Sequence, residues 1–203
     1  MSIASYSELK TAVANWLNRS DLTAYVPDFI ALGEARIYRD LRIRAMETAL
    51  SSAISSGVVA VPSTYLELKH AYVDGSPTRK LLRADTEYIY DMFPTRSSTG
   101  KPSYIAREGS NFIFGPYPDS AYTIKGIYYA KLTALSDSNT TNWFTSNAPD
   151  LLLWAALCEA EPFLKNDERI MLWQSKYDMA KEAIQREERD EQFSGGGLAA
   201  TVR

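Results

Sequence analysis

The chain has a single cysteine, Cys158, and a single histidine, His70, in 203 residues. A lone cysteine closes no internal disulfide, which fits a reducing compartment. Zinc-type sites draw several nitrogen and sulfur ligands together, and one His with one Cys cannot supply them. His70 reads instead as a packed or partly exposed strand residue. A Ser-His-Asp triad would have to use this same histidine, and no Gly-x-Ser-x-Gly elbow surrounds any serine. Dinucleotide chemistry lacks its Gly-x-Gly-x-x-Gly turn. Ser98-Thr99-Gly100-Lys101 has the tail of a phosphate loop, yet Thr95 stands where the leading glycine is required. Pro102 replaces the hydroxyl that would hold magnesium.

Paired carboxylates are also missing. Glu159 and Glu161 are two apart on a predicted helix and point in different directions. Asp85 and Glu87 fall at a helix start, where acidic residues cap and complement the dipole. The sequence therefore predicts no catalytic residue, no metal and no cofactor, and a protein that is not an enzyme. Charge of one sign is scarce as well: the formal net charge is −3 and no long block of like charge occurs. Such a chain gains little from phosphate backbones, so specific DNA binding is not expected. There is no apolar run long enough to span a bilayer and no cationic-then-apolar leader. A chain that neither crosses a membrane nor enters secretion is the expectation.

What is abundant is aromatic: 13 Tyr, 7 Phe and 4 Trp. Tyr and Trp combine a large apolar body with a polar tip, which suits cores and subunit interfaces alike. These residues fall into a helix–strand–helix order. Ser5 and Glu8 have capping-box spacing, and Leu9, Val13, Trp16 and Leu17 share one face of the helix that follows. A second helix opens near Pro27 and buries Val26, Ile30, Gly33, Ile37 and Leu41.

From Met46 the period shortens to that of strands. Met46, Leu50 and Ile54 mark the first, and Ser55-Ser56-Gly57 turns into a second over 58–61. Leu66, Leu68, His70 and Tyr72 would share one face of a third, which ends at the hairpin signal Asp74-Gly75. A short helix over 86–92 follows Asp85. Strands over 104–107, 112–114 and 122–130 complete the region, separated by turns at Gly109-Ser110 and Pro116-Tyr117-Pro118-Asp119. The connections look too short for parallel crossovers, so this region is expected to be antiparallel.

Helical spacing returns at Asn147, read as a cap, with Pro149 in the first turn. The run from Leu151 to Ala160 is apolar on nearly every face. Pro162 ends it, and Asp167 starts a last helix with a seam of Ile170, Trp173, Tyr177, Ala180 and Ile184. The predicted class is α+β: a helical bundle from the N- and C-terminal helices with an inserted antiparallel β region. Its parts are helices over 1–45, a β subdomain with one short helix over 46–140, helices over 141–192, and a flexible arm over 193–203. Three consecutive glycines hold no regular element alone. Arg36, Arg39 and Arg42 make the second helix locally basic, and a solvated or inter-subunit charged face is favoured over a DNA-reading helix.

Several stretches together resemble the head-to-tail adaptor (connector) proteins of short-tailed and related tailed bacteriophages. They are the run from Tyr6-Ser-Glu-Leu to Trp16-Leu-Asn-Arg, and the run from Val26-Pro-Asp-Phe to Arg39-Asp-Leu-Arg. Gly100-Lys-Pro-Ser-Tyr, Phe112-Ile-Phe-Gly-Pro-Tyr-Pro-Asp and Tyr122-Thr-Ile-Lys-Gly-Ile-Tyr-Tyr follow. Asn142-Trp143, Pro149-Asp-Leu-Leu-Leu-Trp and Trp173-Gln-Ser-Lys-Tyr complete the set. The resemblance implies a structural virion protein at the head–tail interface, assembled in the host cytoplasm. It implies a homo-oligomeric ring, typically dodecameric, beneath the portal protein, with DNA passing through unread and a nozzle or other tail protein below. It also implies that the C-terminal arm docks on the portal, which would make Phe193, Gly195, Gly196, Gly197, Leu198, Val202 and Arg203 its docking residues. Competing readings are another tail component, such as a nozzle or tail-completion protein, and more distantly a virion hydrolase, which needs two carboxylates at catalytic separation.

Overall fold

The computed structural model describes residues 3–95, 97, 99–160, 163–164 and 169–193. Contacts divide the chain into two units, Met1–Ala45 with Leu132–Arg203, and Met46–Lys131.

In the first unit, helix α1 spans Tyr6–Leu17. The Ser5 hydroxyl accepts the Glu8 N–H at 3.3 Å, and the Glu8 carboxylate accepts the Ala4 N–H at 2.6 Å. Orphan donors at the helix start are thus satisfied. Leu9, Val13 and Leu17 are buried as their spacing predicts, with Ala12 beside them. Trp16, expected on the same face, is 46% exposed and meets Trp154 edge-on, ring centres 5.1 Å apart. A 3-10 turn over Ser20–Tyr25 leads into α2, Val26–Asp40. Its stripe of Val26, Ile30, Gly33 and Ile37 is buried as read, and so is Leu41 at its C-cap. Gly33 is where α2 meets α5 most closely: a Cβ there would lie 2.9 Å from the Ala156 backbone nitrogen.

Helix α3 belongs to the second unit. The next helices here are α4 (Trp143–Asn147) and α5 (Pro149–Glu159). Asn147 is not the cap. Asn142 performs that role for α4, accepting the Phe144 and Thr145 N–H groups at 3.1 and 3.2 Å while Thr145 Oγ1 accepts the Asn142 N–H at 3.0 Å. Asn147 instead turns its amide back to the Trp143 carbonyl. Helix α5 is buried along both sides, from Leu151 to Leu153 and from Ala155 to Cys158. Helix α6, Ile170–Phe193, buries Trp173, Tyr177 and Ile184. The expected break at Pro162 and start at Asp167 lie outside the described residues.

The second unit is built on a seven-stranded sheet of order β1-β9-β3-β4-β6-β7-β2. Its strands are β1 (Glu47–Ala53), β2 (Val58–Ala60), β3 (Tyr65–Val73), β4 (Arg79–Arg83), β6 (Tyr104–Glu108), β7 (Asn111–Gly115) and β9 (Thr123–Ala130). Two short strands, β5 (Thr99–Gly100) and β8 (Tyr117–Pro118), pair separately. Helix α3, Thr86–Met92, starts at Asp85, whose carboxylate accepts the Thr86 N–H. The edge strands β1 and β2 follow one another in the chain. Ser55 and Val58 exchange N–H···O bonds of 2.9 and 3.0 Å across the turn, where Ser56 (φ 50°) and Gly57 (φ 78°) take left-handed conformations. The sheet therefore rolls nearly closed, barrel-like, around a core that includes Leu50, Leu68, Val73, Phe112, Phe114 and Tyr128. Closing a sheet is one way to leave little unpaired edge.

This architecture corrects the expected helical bundle with an inserted antiparallel β region. The sheet is mixed, because β4 pairs β6 in parallel and β5 pairs β8 in parallel. The crossover that looked too short exists: α3 and the loop after it carry the chain from the end of β4 back to the start of β6. The strand β4 itself went unread, since Arg79-Lys80-Leu81-Leu82-Arg83 offers one buried residue, Leu81, between charges. Helix α5, apolar on nearly every face as read, is the element against which α1, α2, α4 and α6 pack. A further correction concerns β3. Irregularities between Tyr65 and Glu67 and between Leu68 and His70 break the alternation, burying Leu68, Ala71 and Val73 while His70 is exposed and Tyr72 half-buried. One extra residue moves every later side chain to the other face.

Candidate interaction surfaces

The residues with chemical potential are dispersed. His70 lies beside Tyr72, rings nearly parallel at 6.5 Å, and Cys158 is buried within α5. Among the described residues no group of three His, Cys, Asp or Glu side chains could hold a metal ion. Glu159 is engaged by Arg36 at 3.1 Å. No helix among the described residues is long and apolar enough to cross a membrane.

The three arginines of α2 and its exit have separate surroundings. Arg36 is half-buried, ion-paired to Glu159, bonded to Gln174 and set 4.8 Å over the Tyr177 ring. Arg42 folds back to donate to the Tyr38 and Leu41 carbonyls at 2.6 and 2.7 Å. Arg39 is the exposed member of the three. In the arm, Phe193 closes α6, and Gly195, Gly196, Gly197, Leu198, Val202 and Arg203 lie outside the described residues.

The buried polar chemistry of the helical unit is structural. Glu34 on α2 is 4% exposed, accepts the Leu135 N–H at 3.3 Å, and accepts the Asn142 amide at 3.1 Å. Burial raises its carboxyl above the usual glutamate range, and these two bonds partly offset that rise. The same loop over 132–142 is held by the Tyr6 N–H on the Thr140 carbonyl and by Lys10 on Asp137, both at 2.7 Å. On α6, the Tyr177 hydroxyl donates to Asp40 at 2.7 Å, and burial drives that phenol upward.

Apolar surface is left uncovered on each unit. On the helical unit Met171, Leu172 and Met179 of α6 are 82%, 53% and 61% exposed. Tyr25 and Phe163 meet with ring centres 5.2 Å apart, both well exposed. On the sheet unit Leu82, Tyr88, Tyr90 and Met92 are exposed, with Tyr88 edge-on to Tyr104 at 5.4 Å. Exposed aromatic and methionine side chains are characteristic of surfaces that meet other proteins.

Two charged features stand out. Arg44, Trp143 and Ile184 line an open cleft of about 530 Å³ with Glu187, Glu188 and Glu191. There the Arg44 N–H donates to Glu188 at 3.0 Å and its guanidinium pairs with Glu191 at 3.3 Å. At one end of the rolled sheet Arg83 and Arg107 flank a recess of about 120 Å³ over Leu68, Ile105 and Phe112. Arg107 stacks 5.2 Å over the Tyr65 ring, and Arg83 reaches the Lys69 carbonyl at 2.7 Å and Glu67 at 3.7 Å. Burial raises the Tyr65 phenol, while the Leu68 backbone bond and then the two guanidiniums oppose it. Sequence reading missed this arginine pair. Its one signal was inward spacing, with Arg83 two residues beyond buried Leu81 and Arg107 two beyond buried Ile105.

Exposed apolar, aromatic and arginine side chains among the described residues offer surfaces for partners. No curated protein matches the sequence. Residues 4–200 match the family described as SU10 adaptor protein, which accounts for nearly the whole chain. The chain therefore belongs to the SU10 adaptor protein family, as a bacteriophage adaptor and a structural component of the virion.

Proposed function

We propose that this adaptor works at the head–tail junction as a homo-oligomeric ring, dodecameric in the form its resemblance implies, beneath the portal protein. The ring extends the DNA channel and gives a nozzle or other tail protein its platform. The observation that carries this reading is the family match over residues 4–200. Uncovered apolar and aromatic side chains on both units support it, because a protein that works alone gains nothing from exposing Met171, Met179, Tyr88 and Met92 to water. A net charge of −3 suits a conduit that DNA crosses without adhering, since lumenal cations would trap phosphates. Residues 193–203 act in this reading as the arm that docks on the portal, and Arg39 as the outward member of a charged inter-subunit face. Assembly takes place in the host cytoplasm.

Mixing the purified chain with intact portal tests the proposal. The expected product is a ring-shaped particle by electron microscopy in which both proteins are present. Binding to tail proteins, with none to portal, would assign the chain to a different level of the tail.

A further inference from the structure

We propose that the arginine recess at the end of the rolled sheet receives the acidic side chains of α6 from a second copy of this chain, so that it forms one half of the lateral contact in the ring. The inference rests on the ring reading above and specifies its contact.

A ring of identical subunits closes through a heterologous interface, in which two different surfaces of one chain complement each other. The recess is one such surface. Parallel pairing of β4 with β6 brings their C-terminal ends to the same end of the sheet, with Leu82 opposite Tyr104 and Arg83 opposite Ile105. Arg83 and Arg107 each stand two residues beyond a buried one, and both line the recess together with the apolar Leu68, Ile105 and Phe112. Two guanidiniums stand there against one carboxylate, Glu67. The volume of about 120 Å³ suits one or two carboxylate side chains, with their methylene stems against the apolar side chains.

The complementary surface is on α6. Glu187 and Asp190 are exposed, three residues apart and therefore on one helix face, and neither has a hydrogen bond or ion pair among the described residues. The wider charge distribution has the same sense. The sequence of the helical unit holds 17 Asp and Glu against 13 Lys and Arg, and that of the sheet unit holds 8 against 9. Helical units of neighbouring copies repel one another, while a helical unit and the next copy's sheet unit do not. That asymmetry favours a second copy in head-to-tail order as the occupant of the recess.

A charge swap distributed over two chains tests the contact. One variant carries R83E and R107E, the other E187R and D190R, and each is incubated with portal alone and in equal mixture. Each variant alone should lose ring assembly by about tenfold or more, because like charges then face each other at every junction. The mixture should recover rings, since alternating copies restore every attraction. Wild-type assembly should weaken as salt rises. This salt series needs no variant and so stands even where a substitution impairs folding. Full assembly by either variant alone, no recovery in the mixture of folded variants, or wild-type rings indifferent to salt each overturn this contact and leave the ring reading intact. A wild-type chain that binds portal without forming rings overturns both. Rings that persist in R83E/R107E but no longer bind the tail protein overturn the inference in favour of a tail partner.

Discussion

Glu34 is the residue on which burial and charge are most directly opposed. Its carboxylate lies in the helical unit without a cation among its hydrogen-bond partners, held by the Leu135 N–H and the Asn142 amide. Because burial raises its pKa, the folded chain holds this proton more tightly than the unfolded chain does. Stability from this group is complete below the ordinary glutamate range and is lost as pH rises through the raised value. Glu34→Gln removes the titration and keeps an acceptor for the loop. Urea midpoints of the two proteins should lie at a fixed offset in acid, with the variant gaining on the wild type as pH approaches neutral. An offset that stays constant across that range would show that Glu34 titrates alike in the folded and unfolded chain. The buried stripe read for α2, Val26, Ile30, Gly33, Ile37 and Leu41, does not include Glu34. Only the loop over 132–142, distant in sequence, turns that position inward.

At the scale of elements, the contact between α2 and α5 decides the helical unit. Gly33 faces Ala155 and Ala156, so the two backbones approach more closely than larger side chains allow. Gly33→Ala sets two effects against each other. Alanine favours the helix by about 1 kcal/mol, while forcing a methyl to 2.9 Å from the Ala156 nitrogen overpacks the crossing at a cost of about 1–3 kcal/mol. Overpacking should win, with a net loss of up to about 2 kcal/mol read as a thermal midpoint lower by up to several degrees. A midpoint that rises would show that α5 shifts freely. The caps illustrate how far local signals carry. Ser5 and Asp85 cap where they were read, because a cap needs only its own next few backbone N–H groups. Asn147 caps nothing because it is itself the last residue of α4, with its amide on the Trp143 carbonyl; α5 begins after Ala148 without a side-chain cap, and Asn142 with Thr145 forms the box that opens α4.

For the whole molecule, partners dominate the physics. In the proposed ring, apolar side chains that an isolated globule would bury can stay exposed until partners cover them, and both units carry such side chains. The arm over 193–203 belongs to the same scale. Removing residues 194–203 should lower portal binding by about tenfold or more and leave the thermal midpoint within about 1 °C of wild type, as for a segment that orders on its partner. A midpoint that falls by several degrees would make those residues part of the fold. Co-sedimentation with portal and a melting curve on the same preparation separate the two outcomes.

Local pattern alone determined a good deal. The helical stripes of α1, α2 and α6, the apolar run of α5, the caps at Ser5 and Asp85, the hairpin of β6 and β7, and the absence of nucleotide and nucleophile motifs all depend on residues within a few positions of each other. The family, too, was legible from stretches spread along most of the chain. Tertiary structure decided what joins distant segments. Parallel pairing across α3 brought Arg83 and Arg107 to one recess, an irregular β3 sent His70 and Leu68 to different faces, and a largely apolar α5 became the element the other helices share. The physical reason is the same in each case. A cap or a stripe is a property of one segment's own geometry, whereas strand direction, register and the partner of an apolar face are fixed by which distant segments bury the most surface together.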